Sequence, residues 1–246
     1  MRCGDGPFDF AQGRRDRKRE RGDSGAMKYC ISKSFSSKIV ITEKAASVMR
    51  MFGLTADRFA EREIIKNCQL EINDGDIVYI TGPSGCGKSV LLRELKRAVP
   101  AEERVDLDEM ELPGDKTLID CIEGDFMAGL RFLSTAGLND VFCVLNQPAR
   151  LSEGQKYRFR LATALAAGKR FIFADEFCSN LDRISAAVIS FNIHKFAKKR
   201  GVTFVLASAH EDILTDLEPD VLIVKELSGA TEVVYKDGNR AGSILA

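Results

Sequence analysis

The sequence lacks a long apolar segment, a net charge and any hydrophobic leader. Although 45% of its 246 residues are hydrophobic, no run reaches the about 18 apolar residues that a membrane-spanning helix needs. Any transport pore would therefore be another chain. The 36 basic and 36 acidic residues cancel, so no overall field favours nucleic acid or a membrane surface. A chain of this length can form one sizeable domain with a core, and is too short for two.

The cysteines also exclude two kinds of protein. Seven are scattered along the chain, and no two of them form a C-x-x-C pair. This pattern argues against both a disulfide framework and a zinc site, and it is typical of reduced thiols in the cytoplasm.

The first 26 residues differ from the rest because basic residues cluster between Gly13 and Gly22. Without an apolar core, this segment is not a secretory signal. One interpretation is a flexible basic arm for nucleic acid or anionic lipid. The other, which we expect, is a disordered tail or sequence upstream of a true start at Met27, because organised patterning begins at Lys28. Residues 27–246 are then one domain.

Residues 82–89 read GPSGCGKS, a complete phosphate-binding loop between an apolar strand and an amphipathic helix. Glycines let the backbone N–H groups and the helix N-terminus point at an anion. Lys88 would reach the β- and γ-phosphates, and the Ser89 hydroxyl would hold Mg²⁺. Cys86 is expected to be inert, although an oxidisable thiol there could gate nucleotide binding. The nucleotide contacts predicted here are Gly82, Pro83, Ser84, Gly85, Cys86, Gly87, Lys88, Ser89 and Val90.

A second motif is an apolar strand, residues 171–174, that ends in Asp175 and Glu176. Either carboxylate alone could cap a helix or lie solvated in a loop. Together, downstream of a phosphate loop, they form a Walker B arrangement. Asp175 would hold Mg²⁺ through water, and Glu176 would polarise the attacking water.

Further motifs carry a family resemblance, which spans about residues 59 to 236. Residues 151–155, LSEGQ, resemble the LSGGQ signature of ATP-binding cassette (ABC) ATPases, and a helix-like segment follows them. Residues 179–182, SNLD, are similar to the D-loop, and His210 resembles the switch histidine. Phe59 stands about where the family places an aromatic ring against adenine. By these motifs the chain is identified as a member of the ABC ATPases.

The resemblance implies the chemistry as well as the fold. The fold would be an α/β P-loop NTPase with a mostly parallel core sheet, an antiparallel β layer and a reduced helical lobe. The protein would bind ATP and Mg²⁺ in a head-to-tail homodimer, with Ser152, Gly154 and Asp182 contributing to the nucleotide sites. Glu176 would position or deprotonate water, His210 would stabilise the γ-phosphate, and Lys88 would neutralise developing charge.

The pattern of apolar residues predicts the elements directly. Strands are expected at residues 104–107, 171–174, 203–207 and 221–225, with antiparallel strands at 31, 38–41, 64–65 and 70–72 and a helix at 43–52. A further helix should end at Gly201. Alternating strands and helices indicate a parallel sheet with the ligand beyond its carboxyl edge. One face of the helix that ends at Gly201 is predicted to be formed by Ile184, Ala187, Val188, Phe191 and Phe196.

The chain departs from the family pattern at two places. Glu153 replaces the first glycine of the signature, and we expect its carboxylate to turn outward because it would repel a phosphate. The segment between Ser89 and Leu151 is short, and its helical lobe is reduced to residues 117–120 and 128–138. Gln147 is too close to the signature to serve as the family's loop glutamine. Its counterpart is expected at Glu109 or Glu111.

Three functions remain open at this stage. The simplest is the ATP-binding subunit of an ABC transporter, cytoplasmic and peripheral to the membrane through a separate permease. The alternative is a soluble ABC ATPase that acts on nucleic acid or a macromolecular complex. A nucleotide switch without hydrolysis is disfavoured by the presence of Lys88, Asp175, Glu176 and His210.

Overall fold

A computed structural model of the protein describes residues 27–35, 42–53 and 62–237. The basic segment of residues 1–26, the strand predicted at 38–41 and Phe59 lie outside these ranges. Two long strands, β1 (Met27–Phe35) and β2 (Arg62–Ile72), pair antiparallel with Met27 opposite Ile72. The antiparallel layer predicted from the sequence is therefore confirmed.

Six further strands form the central sheet, in the spatial order β4-β5-β6-β3-β7-β8. Their pairing is parallel from β4 across to β7, and β8 is antiparallel to β7. Five of them were predicted from apolar runs and are confirmed to within a residue: β3 (Ile77–Thr81), β4 (Arg104–Asp106), β5 (Phe171–Ala174), β6 (Thr203–Ala207) and β7 (Val221–Lys225). The sixth, β8 (Thr231–Tyr235), was not predicted.

Helices cover both faces of this sheet, and two of them, α3 and α4, form the reduced lobe. Within the described residues, no helix combines the length and the apolar character needed to cross a bilayer. Short 3₁₀ turns lie at Ala101–Glu103 and Pro148–Arg150. The helices are α1 (Glu43–Met51), α2 (Lys88–Ala98), α3 (Phe126–Thr135), α4 (Val141–Val144), α5 (Glu153–Ala166), α6 (Arg183–Arg200) and α7 (Leu214–Leu217).

The core consists of two apolar clusters, one on each side of the sheet. Alternate side chains of β6 show the division, since Phe204 and Leu206 join one cluster and Val205 and Ala207 join the other. All of these side chains are buried. Because both faces of a parallel sheet are covered by helices, its strands are continuous apolar runs, and this is why the sequence revealed them.

The apolar face that was predicted for α6 is mostly not the one that packs against the core. Ile184, Val188 and Phe191 are exposed by 78%, 50% and 47%, whereas Ile189 and Ile193 are buried. The helix has two apolar stripes, and the one facing the core also contains small residues, Ala186, Ser190 and Ala197. Small side chains let the helix backbone approach the sheet closely. The predicted end of the helix is confirmed, since Gly201 caps it with φ 66°.

The reversal of the α6 face predicts a contrast in stability. Ile193→Ala removes a fully buried side chain and should lower the free energy of unfolding by about 2–5 kcal/mol. Ile184→Ala, on the exposed stripe, should change it by no more than about 0.5 kcal/mol. Urea denaturation of the two variants measures both values. Equal destabilisation would contradict this assignment of the helix faces.

Candidate nucleotide site

A cleft of about 470 Å³ lies beyond the carboxyl ends of three neighbouring parallel strands, β3, β5 and β6. It brings together the predicted phosphate loop, the carboxylate pair and the predicted switch histidine. The described residues that line it are Ser84, Gly85, Gly87, Lys88, Ser89, Val90, Asp175, Glu176, Ser179, Ser208, Ala209 and His210.

The conformation of the phosphate loop requires glycine at its first position. Gly82 has φ 139°, and a Cβ atom there would lie 2.1 Å from the Lys225 carbonyl oxygen. Gly87, with φ 97°, precedes the first residue of α2. The loop therefore ends at a helix N-terminus, where the N–H groups of the first turn are free to bind an anion.

Lys88 lies across this loop. Its ammonium group donates hydrogen bonds to the carbonyl oxygens of Gly82, at 2.7 Å, and Pro83, at 3.0 Å. These contacts keep the cation at the mouth of the cleft, where a phosphate would meet it.

Cys86 faces the interior of the loop. Its side chain is buried, and its Sγ lies 3.0 Å from the position that a Cβ atom of Gly82 would take. Because oxidants reach exposed thiolates first, burial favours the inert interpretation of this residue.

The turn after β5 holds the carboxylate pair in a strained conformation. Glu176 and Cys178 have φ of 45° and 60°, a left-handed region that costs a non-glycine residue about 1–3 kcal/mol. The Glu176 N–H donates to Asp175 Oδ1 at 3.0 Å. Strain of this kind persists only where surrounding contacts fix the backbone, and here it leaves Glu176 exposed in the cleft.

Asp108 is a site residue that the sequence reasoning missed. It accepts a hydrogen bond from the Asp175 N–H at 3.1 Å, and burial raises the pKa of its carboxyl group. The residues expected here from the sequence were Glu109 and Glu111. Glu109 forms an ion pair with Lys96, at 2.7 Å. Only the pairing of β4 beside β5 brings the two aspartates together, and that pairing is not visible in the sequence.

His210 is held at the cleft by its backbone. Its N–H donates to Ser208 Oγ at 3.2 Å, and its carbonyl oxygen accepts a hydrogen bond from the Tyr79 hydroxyl. Tyr79 belongs to β3, and burial raises its pKa to about 12, so it remains a donor at neutral pH. The imidazole itself is exposed to the cleft.

The signature segment forms the N-terminus of α5. Ser152 Oγ accepts from the Gln155 N–H at 3.3 Å, and Gln155 Oε1 accepts from the Ser152 N–H at 3.0 Å, a complete capping box. Glu153 is exposed and pairs with Lys156 at 2.8 Å, which lowers the pKa of its carboxyl group. Its carboxylate therefore lies in solvent in the single chain, and its orientation away from a partner's phosphate stays a prediction.

The signature packs against the D-loop and not against the phosphate loop. A Cβ atom on Gly154 would lie 3.3 Å from the Asn180 carbonyl oxygen. Asp182 caps α6 by accepting from the Ser185 N–H at 2.9 Å, a bond that lowers the pKa of its carboxyl group. Among the described residues, Ser152, Gly154 and Asp182 are not part of the cleft lining.

Tyr157 connects the signature helix to the strained turn that contains Glu176 and Cys178, and the motifs gave no sign of it. Its hydroxyl accepts a hydrogen bond from the Cys178 N–H at 3.1 Å. Burial raises the pKa of Tyr157 well above its usual value, and burial also raises the pKa of the Cys178 thiol to about 12. Both groups therefore stay neutral around the strained turn.

The oxygen donors in the cleft fit a magnesium ion that is held partly by nucleotide. Ser89 offers a hydroxyl and Asp175 a carboxylate, and Mg²⁺ prefers one or two protein oxygens together with phosphate oxygens and water. Within the described ranges, no group of three or more His, Cys, Asp or Glu side chains could hold a metal by itself. The Ser179 hydroxyl is buried beside the cleft with no protein partner.

The fold and the cleft define an ABC-type P-loop ATPase, and comparison with known proteins agrees. The family model described as "ABC transporter" matches residues 65–122. "Aliphatic sulfonates import ATP-binding protein SsuB" of Yersinia pestis is 31% identical over 192 residues, which are 69% of this chain and 70% of the relative. "Protein STAR1" of Oryza sativa is 33% identical, over 67% of this chain and 56% of that protein.

A solved structure, "Dimeric Structure of MJ0796, a Bacterial ABC Transporter Cassette", has the same fold with a TM-score of 0.59. It is 19% identical, and the match covers 82% of this chain and 95% of that one. The chain belongs to the ATP-binding protein family of ABC transporters, and it is an ATP hydrolase of the ABC type.

The link between Tyr157 and Cys178 yields a prediction. Tyr157→Phe leaves the Cys178 N–H buried without its acceptor, which should lower the free energy of unfolding by about 1–3 kcal/mol. ATP turnover should fall as well, because the turn that carries Glu176 loses a support. Chemical denaturation and a phosphate-release assay measure the two effects. Tyr29→Phe, in the antiparallel layer, is the matched control. Unchanged stability and turnover in Tyr157→Phe would remove this residue from the site.

Proposed function

We propose that the protein binds and hydrolyses ATP–Mg²⁺ as a head-to-tail homodimer, and that this cycle drives a separate membrane permease. The dimer is inferred from one observation, which is that the signature and the phosphate loop of one chain are separated from each other. Ser152 and Gly154 present a helix N-terminus to solvent, and in a head-to-tail pair each would face the phosphates held by its partner.

The catalytic roles follow from the cleft. Glu176, exposed on its strained turn, would orient the attacking water and take its proton. Lys88 would contact the β- and γ-phosphates, and His210 would hydrogen-bond the γ-phosphate. Ser89 and Asp175 would hold Mg²⁺, which neutralises charge on the phosphates.

The remaining contacts to ATP are proposed from position. The backbone of residues 82–90 would wrap the phosphates, and Phe59 would stack on adenine. Asp182, already fixed as a helix cap, would contact the partner's nucleotide site. Residues 27–246 would act as one domain, with the basic segment before Met27 outside it.

An apolar groove in the helical lobe is evidence that the chain binds a partner protein. It has a volume of about 400 Å³, and Phe126, Leu130, Val141 and Leu145 line it between α3 and α4. Three of these side chains are more than half exposed. A helix of a permease would bury them, and SsuB is named an import ATP-binding protein. The chain would then act in the cytoplasm and reach the membrane through that partner.

Two observations favour the alternative, a soluble ABC ATPase that acts on nucleic acid or a macromolecular complex. The resemblance places the counterpart of the loop glutamine near Glu109 or Glu111, and neither these residues nor the neighbouring Asp108, which contacts Asp175, is glutamine. In addition, α4 has only four residues. Both changes alter the surface through which transporter ATPases contact a permease.

Glu176→Gln tests the catalytic assignment. The amide keeps the size of the side chain and cannot accept a proton, so turnover should fall by about 100-fold or more. ATP binding should stay close to that of the wild type, because Lys88 and the phosphate loop are unchanged. Phosphate release and equilibrium binding of a fluorescent ATP analogue measure the two. Turnover near the wild-type rate would exclude Glu176 as the base.

A charge placed in the groove tests the partner. Leu145→Asp should abolish capture of a membrane protein by the tagged chain in detergent extracts of its native cells, because a carboxylate cannot be buried unpaired against an apolar helix. Leu227→Asp, at an exposed turn away from the groove, is the matched control. Thermal unfolding confirms that both variants fold.

The outcome separates the two functions. A membrane protein that is captured by the wild type and by Leu227→Asp, but not by Leu145→Asp, supports the transporter subunit. Capture of nucleic acid or a soluble complex, with no membrane protein captured by the wild type or by Leu227→Asp, would support the alternative.

A further inference from the structure

A second cleft lies between α3 and α6, and we propose that it binds the phosphate groups of an anionic ligand that also carries an apolar part. Its volume is about 440 Å³. It lies near the C-terminal end of α6, close to the point where β6 begins. The residues of the nucleotide cleft instead follow the C-terminal end of β6. The two clefts are therefore at opposite edges of the sheet, and the inference does not depend on the proposed function.

The floor of this cleft is rigid and apolar. The rings of Phe132 and Phe196 meet edge to face with centroids 6.3 Å apart, and both are half-buried. Asn192 Nδ2 donates to the Thr135 carbonyl oxygen at 3.0 Å, which ties the end of α3 to α6. The helical lobe and the core thus meet at a fixed distance, and the Phe132 and Phe196 rings form the floor of the cleft.

The rim of the cleft is cationic. Arg131, Lys195, Lys199 and Arg200 all line it and are exposed, and none of the described residues around it is acidic. In the part of the chain that the structure describes, these four side chains form no ion pair. The whole chain has a formal charge of zero, so four cations around one cleft are a local excess. A bound anion would relieve their mutual repulsion.

Stabilisation of the helix end does not account for this arrangement. Basic residues in a last turn interact favourably with the helix dipole, which explains Lys199 and Arg200. It does not explain Arg131, which comes from α3. Lys195, a turn earlier, lines the cleft and also lies over the Phe191 ring, with its Nζ 4.1 Å from the ring centroid. The neighbouring Lys198 is paired with Asp220 at 2.6 Å and lies outside the cleft lining. Cations that form no ion pair with a described residue therefore converge from two helices on one cavity.

The side chains indicate the chemistry of the ligand. A guanidinium such as that of Arg131 binds phosphate in a bidentate fashion, and the ammonium groups add point charges around it. The Phe132 and Phe196 rings suit an apolar part of the same molecule. A free organic phosphate and the headgroup of an anionic phospholipid both offer this chemistry.

The test compares Lys195→Ala/Lys199→Ala with the matched control Lys198→Ala. Each protein is first saturated with a non-hydrolysable ATP analogue and Mg²⁺, so that the phosphate loop is filled. Inorganic pyrophosphate is then titrated calorimetrically. In parallel, the proteins are sedimented with phosphatidylcholine vesicles that contain or lack phosphatidylglycerol. The double variant should weaken binding in one arm by about tenfold or more, or about 1.4 kcal/mol.

Each result has one meaning. Pyrophosphate binding that is lost only in the double variant supports a free phosphate ligand. Sedimentation with phosphatidylglycerol that is lost only in the double variant supports a lipid headgroup. The proposal is overturned if neither probe binds, if the double variant binds as well as the wild type, or if Lys198→Ala loses as much, since that would reflect net charge alone. Lys195→Arg/Lys199→Arg should restore binding in the arm that responds.

Discussion

The structure depends on backbone hydrogen bonds that continue the parallel pairing past the carboxyl edge of the sheet. The Ser208 N–H donates to the Ile80 carbonyl oxygen at 3.0 Å, and the Phe177 N–H donates to the Ala207 carbonyl oxygen at 2.8 Å. Each bond fixes a loop of the site to the neighbouring strand. The phosphate loop, the carboxylate pair and His210 are separated along the chain, and this single constraint places all three in one cleft.

The same core fixes the signature in a different place. The capping box of Ser152 and Gln155 begins α5 at Glu153, and Tyr157 ties that helix to the turn below Glu176. A helix N-terminus suited to phosphate is thus rigidly attached to the turn that contains Glu176 but lies outside the cleft of its own chain. In the proposed dimer, Ser152 would therefore be joined to the turn of Glu176 by a short, stiff path.

The sequence predicted those features whose chemistry is local. The phosphate loop of residues 82–89 and the pair Asp175 and Glu176 are contiguous motifs, and buried parallel strands are continuous apolar runs. The sequence did not predict features that depend on residues far away in the chain. Ile184 and Ile193 have similar side chains, and only the sheet decides which of them is buried. Asp108 became visible only through the pairing of two strands 65 or more residues apart in the chain, since Asp108 contacts Asp175.

The central claim, a nucleotide shared between two copies, is tested most directly by the mass of Glu176→Gln in solution with and without ATP–Mg²⁺. Light scattering should give twice the monomer mass with ATP and the monomer mass without it. Adding Ser152→Asp keeps the helix cap, because aspartate caps well, but puts a carboxylate against the partner's phosphate. That double variant should stay monomeric with ATP. A dimer that forms without nucleotide, or that tolerates Ser152→Asp, would contradict the shared site.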